Sequence, residues 1–293
     1  MFEFPISGVE TYWWLPTLVA FVISSFASVA GVTGAFLLMP FQVSFLGFAG
    51  PAASSTNLLF NIVAIPSGVY RQTKEKRMVW PLAWAIVFGT VPGMFLGAII
   101  RIKYLPDAAS FKIFAGLVLL YLGGKILFDL LKKVKIKKLD KNNFNVIMKM
   151  FNLAKIEYLF NNELVSIPTV PIIVLGFIVG IVGGTYGIGG GAIVVPYMVA
   201  YYRIPVHTLS GAALFSTFIA SIAGVGCYYL ASILFAQNAA IVSPDWLLGF
   251  SFGIGGFAGI YIGTRMQRYL SATYIKIVIM TCMLLIAIKY LVL

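Results

Sequence analysis

The chain has 293 residues, 60% of them hydrophobic and 10% charged, with a mean hydropathy of +0.97, which excludes a water-soluble globular domain. Its formal charge of +12 does not point to nucleic acid. The cations gather in "RQTKEKR" (71–77) and "KKVKIKKLDK" (132–141), beside the ends of apolar runs. That placement is the cytoplasmic signature of the positive-inside rule, and it also suits anionic lipid headgroups.

Taken in chain order, the first eleven residues, "MFEFPISGVET", hold two glutamates and no lysine or arginine, unlike a cleavable leader, so the first span is expected to stay. Apolar runs then recur over 12–69, 80–100, 111–131, 168–200, 206–235, 246–263 and 274–293. At ~20 residues per crossing these make about eight to ten membrane segments. The expected fold is an all-α polytopic membrane protein in the cytoplasmic (inner) membrane. Three regions are expected: a first membrane repeat over 1–130, a basic cytoplasmic linker over 131–167, and a second membrane repeat over 168–293. In the linker, Phe144, Ile147, Met148 and Phe151 fall at helical spacing and predict an amphipathic helix on the membrane surface.

The repeats are read from the sequence itself. "GVTGAFLLMP" (31–40) aligns without gaps on "GIGGGAIVVP" (187–196) at an offset of 156, and the register carries Ser54 onto Ser210, Asn61 onto Thr217 and Gly68 onto Gly224. Past the polar insert "AQNAAIVSPD" (236–245) the match resumes with Trp80 on Trp246 and Gly97 on Gly263. Duplicated halves with matched glycine- or proline-interrupted segments are the sequence pointer to a carrier whose site lies between the repeats.

Two kinds of glycine must be separated. Gly93 and Gly97, and those of "GFAGIYIG" (256–263), have the small-xxx-small spacing of helix packing. The run Gly187, Gly189, Gly190, Gly191 is too dense for packing, since each glycine costs about 1 kcal/mol against alanine inside a helix. A break is expected there, and broken backbone at membrane depth is tolerated only where protein buries it or it lines a cavity. A new helix starting near Gly190 or Gly191 would turn free N–H groups and its positive dipole end toward an anion. The first-half partner keeps Gly31 and Gly34 but has Thr33 and Ala35 where the second half has Gly189 and Gly191. Thr33 either offers its hydroxyl to the same ligand or bonds back to a carbonyl one turn earlier.

Polar residues follow each break: Asn57 and Asn61, four apart on one helical face, and His207, Ser210, Ser216 and Thr217. As neutral donors they suit an oxyanion, and they equally suit interhelical bonding. His207 either meets substrate or pH, or ends a helix at the interface. The nine acidic residues all lie in loops or near span ends, so the interior offers no carboxylate for coupling a cation. Cys227 and Cys282 sit in apolar runs and read as packing. No cofactor motif, metal-ligand spacing or nucleophile–base pair is present.

Charge bears on orientation. If each break lies within one membrane passage, the halves are parallel and the cations divide fourteen inside to seven outside; if each separates two passages, the halves are inverted, and only Arg101, Lys103, Lys112 and Lys289 lie outside. That bias favours inversion modestly.

"GIGGGAIVVP", "RIPVHTLSGAALFSTFIASIAG" and "GFAGIYIGTRM" closely resemble the second repeat of the sulfite exporter TauE/SafE family. The resemblance implies a secondary carrier that exports small sulfur-containing anions or organosulfonates, such as sulfite, sulfoacetate or related carboxylates. The binding residues expected are Gly31, Thr33, Gly34, Asn57, Asn61, Gly187, Gly189, Gly190, Gly191, His207, Ser210 and Thr217, working by alternating access. A cation or metal permease, or a membrane-embedded enzyme, is the alternative; oligomeric state is not specified by the sequence.

Overall fold

A computed structural model describes residues 2–29, 32–131, 146–152, 154–160, 163–202, 206–234, 242–266 and 272–292. The chain is mostly helical. Among the described residues the helices are α1 (Leu15–Val29), α2 (Ala35–Ser44), α3 (Pro51–Lys74), α4 (Trp80–Lys103), α5 (Ala108–Leu131), α6 (Thr169–Tyr186), α7 (Gly191–Tyr202), α8 (Val206–Leu234), α9 (Trp246–Met266) and α10 (Ala272–Val292). Five of them, α4, α5, α6, α8 and α9, are long and apolar enough to cross a membrane; α1 and α2 are shorter apolar helices.

The least apolar helix among these is largely enclosed. On α3, Ser54, Ser55, Thr56, Asn57 and Asn61 are all fully buried, because α8 and α9 pack along it and α2 folds back onto it. A polar helix is retained inside a membrane protein when its neighbours, rather than lipid, surround its side chains.

Small residues set how the helices pair. A Cβ added to Gly89, Gly93 or Gly97 of α4 would strike the backbone of α6 at Ile173, Phe177 and Ile181 in turn. Added to Gly255, Gly259 or Gly263 of α9, it would strike α1 at Thr17, Phe21 and Ser25. Both rows ascend together, so α4 runs parallel to α6 and α9 parallel to α1. The backbones touch without side chains between them, the small-xxx-small geometry expected of these glycines.

The remaining directions follow from register. Gly253 of α9 abuts Val63 and Gly249 abuts Leu59, so α9 is parallel to α3. Gln72 bonds Ser210, Gly68 abuts Leu214 and Gly224 abuts Leu58, so α8 is antiparallel to α3. Trp80 rests edge-on against Phe215, and Met94 touches Gly224, so α4 is parallel to α8. Thus α1, α3 and α9 run one way and α4, α6 and α8 the other. Gly116 lies against Leu291 and Gly123 against Leu284, so α5 and α10 are antiparallel.

Two small sheets complete the fold. β1 (Phe2–Glu3) and β2 (Glu10–Thr11) form a hairpin, fastened to the bundle where the Ser7 N–H and hydroxyl both donate to Asp245 Oδ2, at 2.9 and 2.7 Å. Asp245 also accepts the Leu248 N–H at 3.0 Å, capping α9.

The second sheet corrects the surface helix expected in the linker. Ile147, Met148 and Phe151 lie on strand β3 (Val146–Phe151), antiparallel to β4 (Lys155–Phe160), which pairs with β5 (Glu163–Pro168); Phe144 lies outside the described residues. On β4 the alternation of Ile156, Tyr158 and Phe160, all buried, with outward Lys155 and Glu157 is the period of a half-buried strand. That neighbouring strand supplies the partner groups, and its pairing outweighs the helical spacing of β3's own side chains.

Candidate substrate site

Helix α6 stops at Tyr186 and α7 starts at Gly191. The turn between them needs backbone that only glycine adopts freely: Gly187, Gly189 and Gly190 have φ of 89°, 73° and 94°. It also has no room for side chains. A Cβ on Gly187 would lie 2.6 Å from the Ser54 carbonyl oxygen, and one on Gly189 would lie 2.5 Å from Thr217 Cγ2 and 3.0 Å from Ser221 Oγ. The first N–H of α7, from Gly191, is taken by Thr217 Oγ1 at 2.9 Å.

In the first half, Gly34 precedes α2 with ordinary helical backbone (φ −72°, ψ −6°), and no side chain caps the helix. Thr33 is buried beside it. Ser24 of α1 closes in from the side, its Oγ 2.9 Å from where a Gly34 Cβ would be.

Asn57 joins the two turns. Its Nδ2 donates to Ala35 O, at the head of α2, and to Gly187 O, in the second turn, both at 2.9 Å; its Oδ1 accepts from Gln42 Nε2 at 3.2 Å. Tyr186 adds a second link, its hydroxyl donating to Phe36 O at 3.1 Å. The head of α2 and the turn before α7 therefore sit within the reach of one buried amide.

Around them lie buried polar atoms without any hydrogen-bond partner: both amide atoms of Asn61, the hydroxyls of Ser24 and Ser221, and Gln42 Oε1. Asn61 is one turn along α3 from Asn57, on the same face. The α3–α8 register that sets Leu58 on Gly224 and Gly68 on Leu214 puts Asn61 level with Ser221. An unpaired buried polar group costs about 1–3 kcal/mol, and native proteins hold few of them, so a cluster at one place calls for an explanation.

Of the residues singled out from the sequence, Gly34, Asn57, Asn61, Gly187, Gly189, Gly190, Gly191 and Thr217 come together here, with Thr33 next to Gly34. Ser210 lies further along α8, where its hydroxyl accepts from Gln72 Nε2 at 3.1 Å. Gly31 and the side chain of His207 lie outside the described residues; the backbone of His207 belongs to the first turn of α8. Sequence reasoning misses Ser24, Gln42 and Ser221. Each is one polar residue in an apolar helix, and nothing in its own neighbourhood separates it from a serine or glutamine bonding between helices.

A separate cavity of about 840 Å³ lies between α5, α6 and α7, lined by Phe114, Val118, Val174, Ile178 and other apolar side chains. Its lining is mostly apolar, with Tyr121 and Tyr197 among the residues around it.

A bundle in which five helices are long and apolar enough to cross a membrane, with polar side chains enclosed among them, is that of a multi-pass membrane protein. The Sulfite exporter TauE/SafE family model matches residues 17–290, and the chain belongs to that family. It is 24% identical over 228 residues, covering 78% of this chain and 77% of the relative, to a protein of Bacillus subtilis (strain 168) described as "Probable membrane transporter protein YunE". No solved structure matches the chain.

Proposed function

We propose that this transporter carries small sulfur-containing or organic anions, such as sulfite, sulfoacetate or other organosulfonates, out across the cytoplasmic membrane by alternating access. The anion rests between the two interrupted segments. The observation that carries this reading is the set of unpartnered buried groups at that junction, Asn61, Ser24 and Ser221 above all. They are neutral hydrogen-bonding groups, Ser24 beside the uncapped start of α2 and Ser221 beside the turn before α7, and such groups at helix N-termini suit an anion. A cation would need carboxylates, and the described acidic residues lie on the two small sheets, in connections or at helix ends.

Opposed halves support the alternating part. If α1–α5 and α6–α10 are copies of one unit, then α1 opposes α6, α3 opposes α8, α4 opposes α9 and α5 opposes α10 in direction. This is what an inverted repeat requires, and rocking one half against the other would expose the junction first to one side and then to the other. Under the positive-inside rule, Arg71, Lys74, Lys76 and Arg77 put the α3–α4 loop in the cytoplasm. An anion leaving a cell that is negative inside gains about 2.3 kcal/mol per charge for each 100 mV, so export needs no coupling carboxylate.

The test is flux of labelled sulfite or sulfoacetate in proteoliposomes under an imposed potential. Saturable flux that follows the potential and is lost in Asn61→Leu is expected. Flux that is absent for both probes, or that ignores Asn61→Leu in a folded protein, overturns the reading.

A further inference from the structure

By charge alone Arg101 reads as a marker of the outer loop. It is instead a fully buried side chain near the end of α4, on the face that looks toward the glycine turn. Its Nε donates to Ser54 Oγ at 3.1 Å and its Nη2 to Ala49 O, while Phe111 of α5 covers the guanidinium plane at 3.8 Å. Nη1 has no partner. No carboxylate among the described residues pairs with it: Asp107, nearest in sequence, is exposed and accepts from the Ser110 hydroxyl at 2.6 Å. Asp107 acts on it only from beyond ion-pair distance; a buried cation without a bonded anion is costly, and inside a membrane protein such groups mark the path of a substrate or ion.

Its position says where from. Ser54, which Arg101 holds, donates its own hydroxyl to Thr185 O at 3.2 Å, and Thr185 immediately precedes Tyr186 and the turn at Gly187. Asn57 follows Ser54 by one turn of α3 and bonds Gly187 O. Arg101 therefore lies a single hydrogen-bonded step from the junction, displaced toward the end of the bundle opposite the basic 71–77 loop.

We infer that Arg101 is a second, charged station for the transported anion, on the outer side of the neutral junction. Its free Nη1 binds the oxygen of a sulfonate, sulfite or carboxylate as that anion passes between the junction and the exterior. The inference rests on the anion-carrier reading and adds to it the residue that supplies positive charge. It predicts a preference for small oxyanions, whose oxygens accept from a guanidinium with charge-assisted bonds, over halides of equal charge.

The test uses the purified full chain, with sulfite and sulfoacetate as probes and chloride as control. Melting of the protein in detergent is recorded against probe concentration, alongside vesicle flux. Arg101→Gln and Arg101→Lys are compared with the parent; Lys keeps the charge and loses the planar fork. A ten- to hundredfold rise in half-saturating probe concentration in Gln, and a smaller one in Lys, is expected in both assays, the range of one hydrogen bond to a charged group. A purely structural arginine would lower the melting temperature without probe and leave the concentration dependence unmoved, which overturns the inference. It also falls if no probe stabilises the parent, if chloride serves as well as the oxyanions, or if neither variant folds at any probe concentration. Arg101-dependent binding without any flux upholds the station and overturns the transport reading; flux indifferent to Arg101 in folded variants does the reverse.

Discussion

The two turns ahead of α2 and α7 share a spacing of glycine and proline and differ in how they are closed. Before α7, three residues hold positive φ and the Gly191 N–H is spent on Thr217 Oγ1. Before α2, Gly34 keeps helical backbone, no side chain caps the helix, and Asn61, which corresponds to Thr217 at the offset of 156, leaves both amide atoms unpaired. The turn before α7 is held from both halves, by Thr217 at Gly191 and by Asn57 at Gly187, with the unpartnered Ser221 hydroxyl beside it. The turn before α2 has no side-chain cap, and the pair teaches that equal spacings of glycine and proline can be closed to different degrees.

The sharpest way to break this contrast is Gly187→Val. Left-handed backbone costs a valine roughly 1–2 kcal/mol, and crowding against the Ser54 carbonyl adds about 1–3 kcal/mol, so folded yield and melting temperature in detergent should both collapse. Gly34→Ala, where backbone is ordinary and the obstacle is the movable Ser24 hydroxyl, should cost far less. Equal losses at the two positions would dissolve the distinction.

Next in size is Asn57→Leu, which strands Ala35 O, Gly187 O and Gln42 Nε2 together. A loss of about 2–4 kcal/mol is expected from groups that cost roughly 1–3 kcal/mol each when unpaired, read as a drop in melting temperature. Were the variant as stable as the parent, the two turns would not be joined through this amide.

Thr217→Val should cost about 1 kcal/mol, the ordinary value of a lost N-terminal cap. Asn61→Leu should cost least, leaving the melting temperature level or slightly raised, because it removes buried groups that have no partner to lose. Its effect belongs in the flux assay. If instead Thr217→Val spared stability while Asn61→Leu destroyed it, the roles assigned to the two turns would have to be exchanged.

Much of this site is legible in the order of residues alone. The glycine run at 187–191, Asn57 and Thr217 stand out because consecutive glycines inside an apolar span cannot be a helix-packing device. Ser24, Ser221 and Gln42 do not, because a lone hydroxyl or amide in a membrane helix carries no local sign of whether its partner is a helix or a ligand. Arg101 misleads for a related reason: a cation near a span end reads as loop charge until the helices around it show the side chain buried, with no ion pair to it among the described residues.

The sequence by itself determined that this chain lives in a membrane, which loops carry its positive charge and where its helices cannot continue, since these follow from apolarity, charge and backbone freedom at successive positions. Only the tertiary structure decided that the described part of the linker, from 146 on, forms a sheet, that α3 is largely enclosed, and that the head of α2 and the turn before α7 share Asn57. Those outcomes depend on which surfaces meet across long stretches of chain, and the hydrogen-bond partners that settle them are not neighbours in sequence.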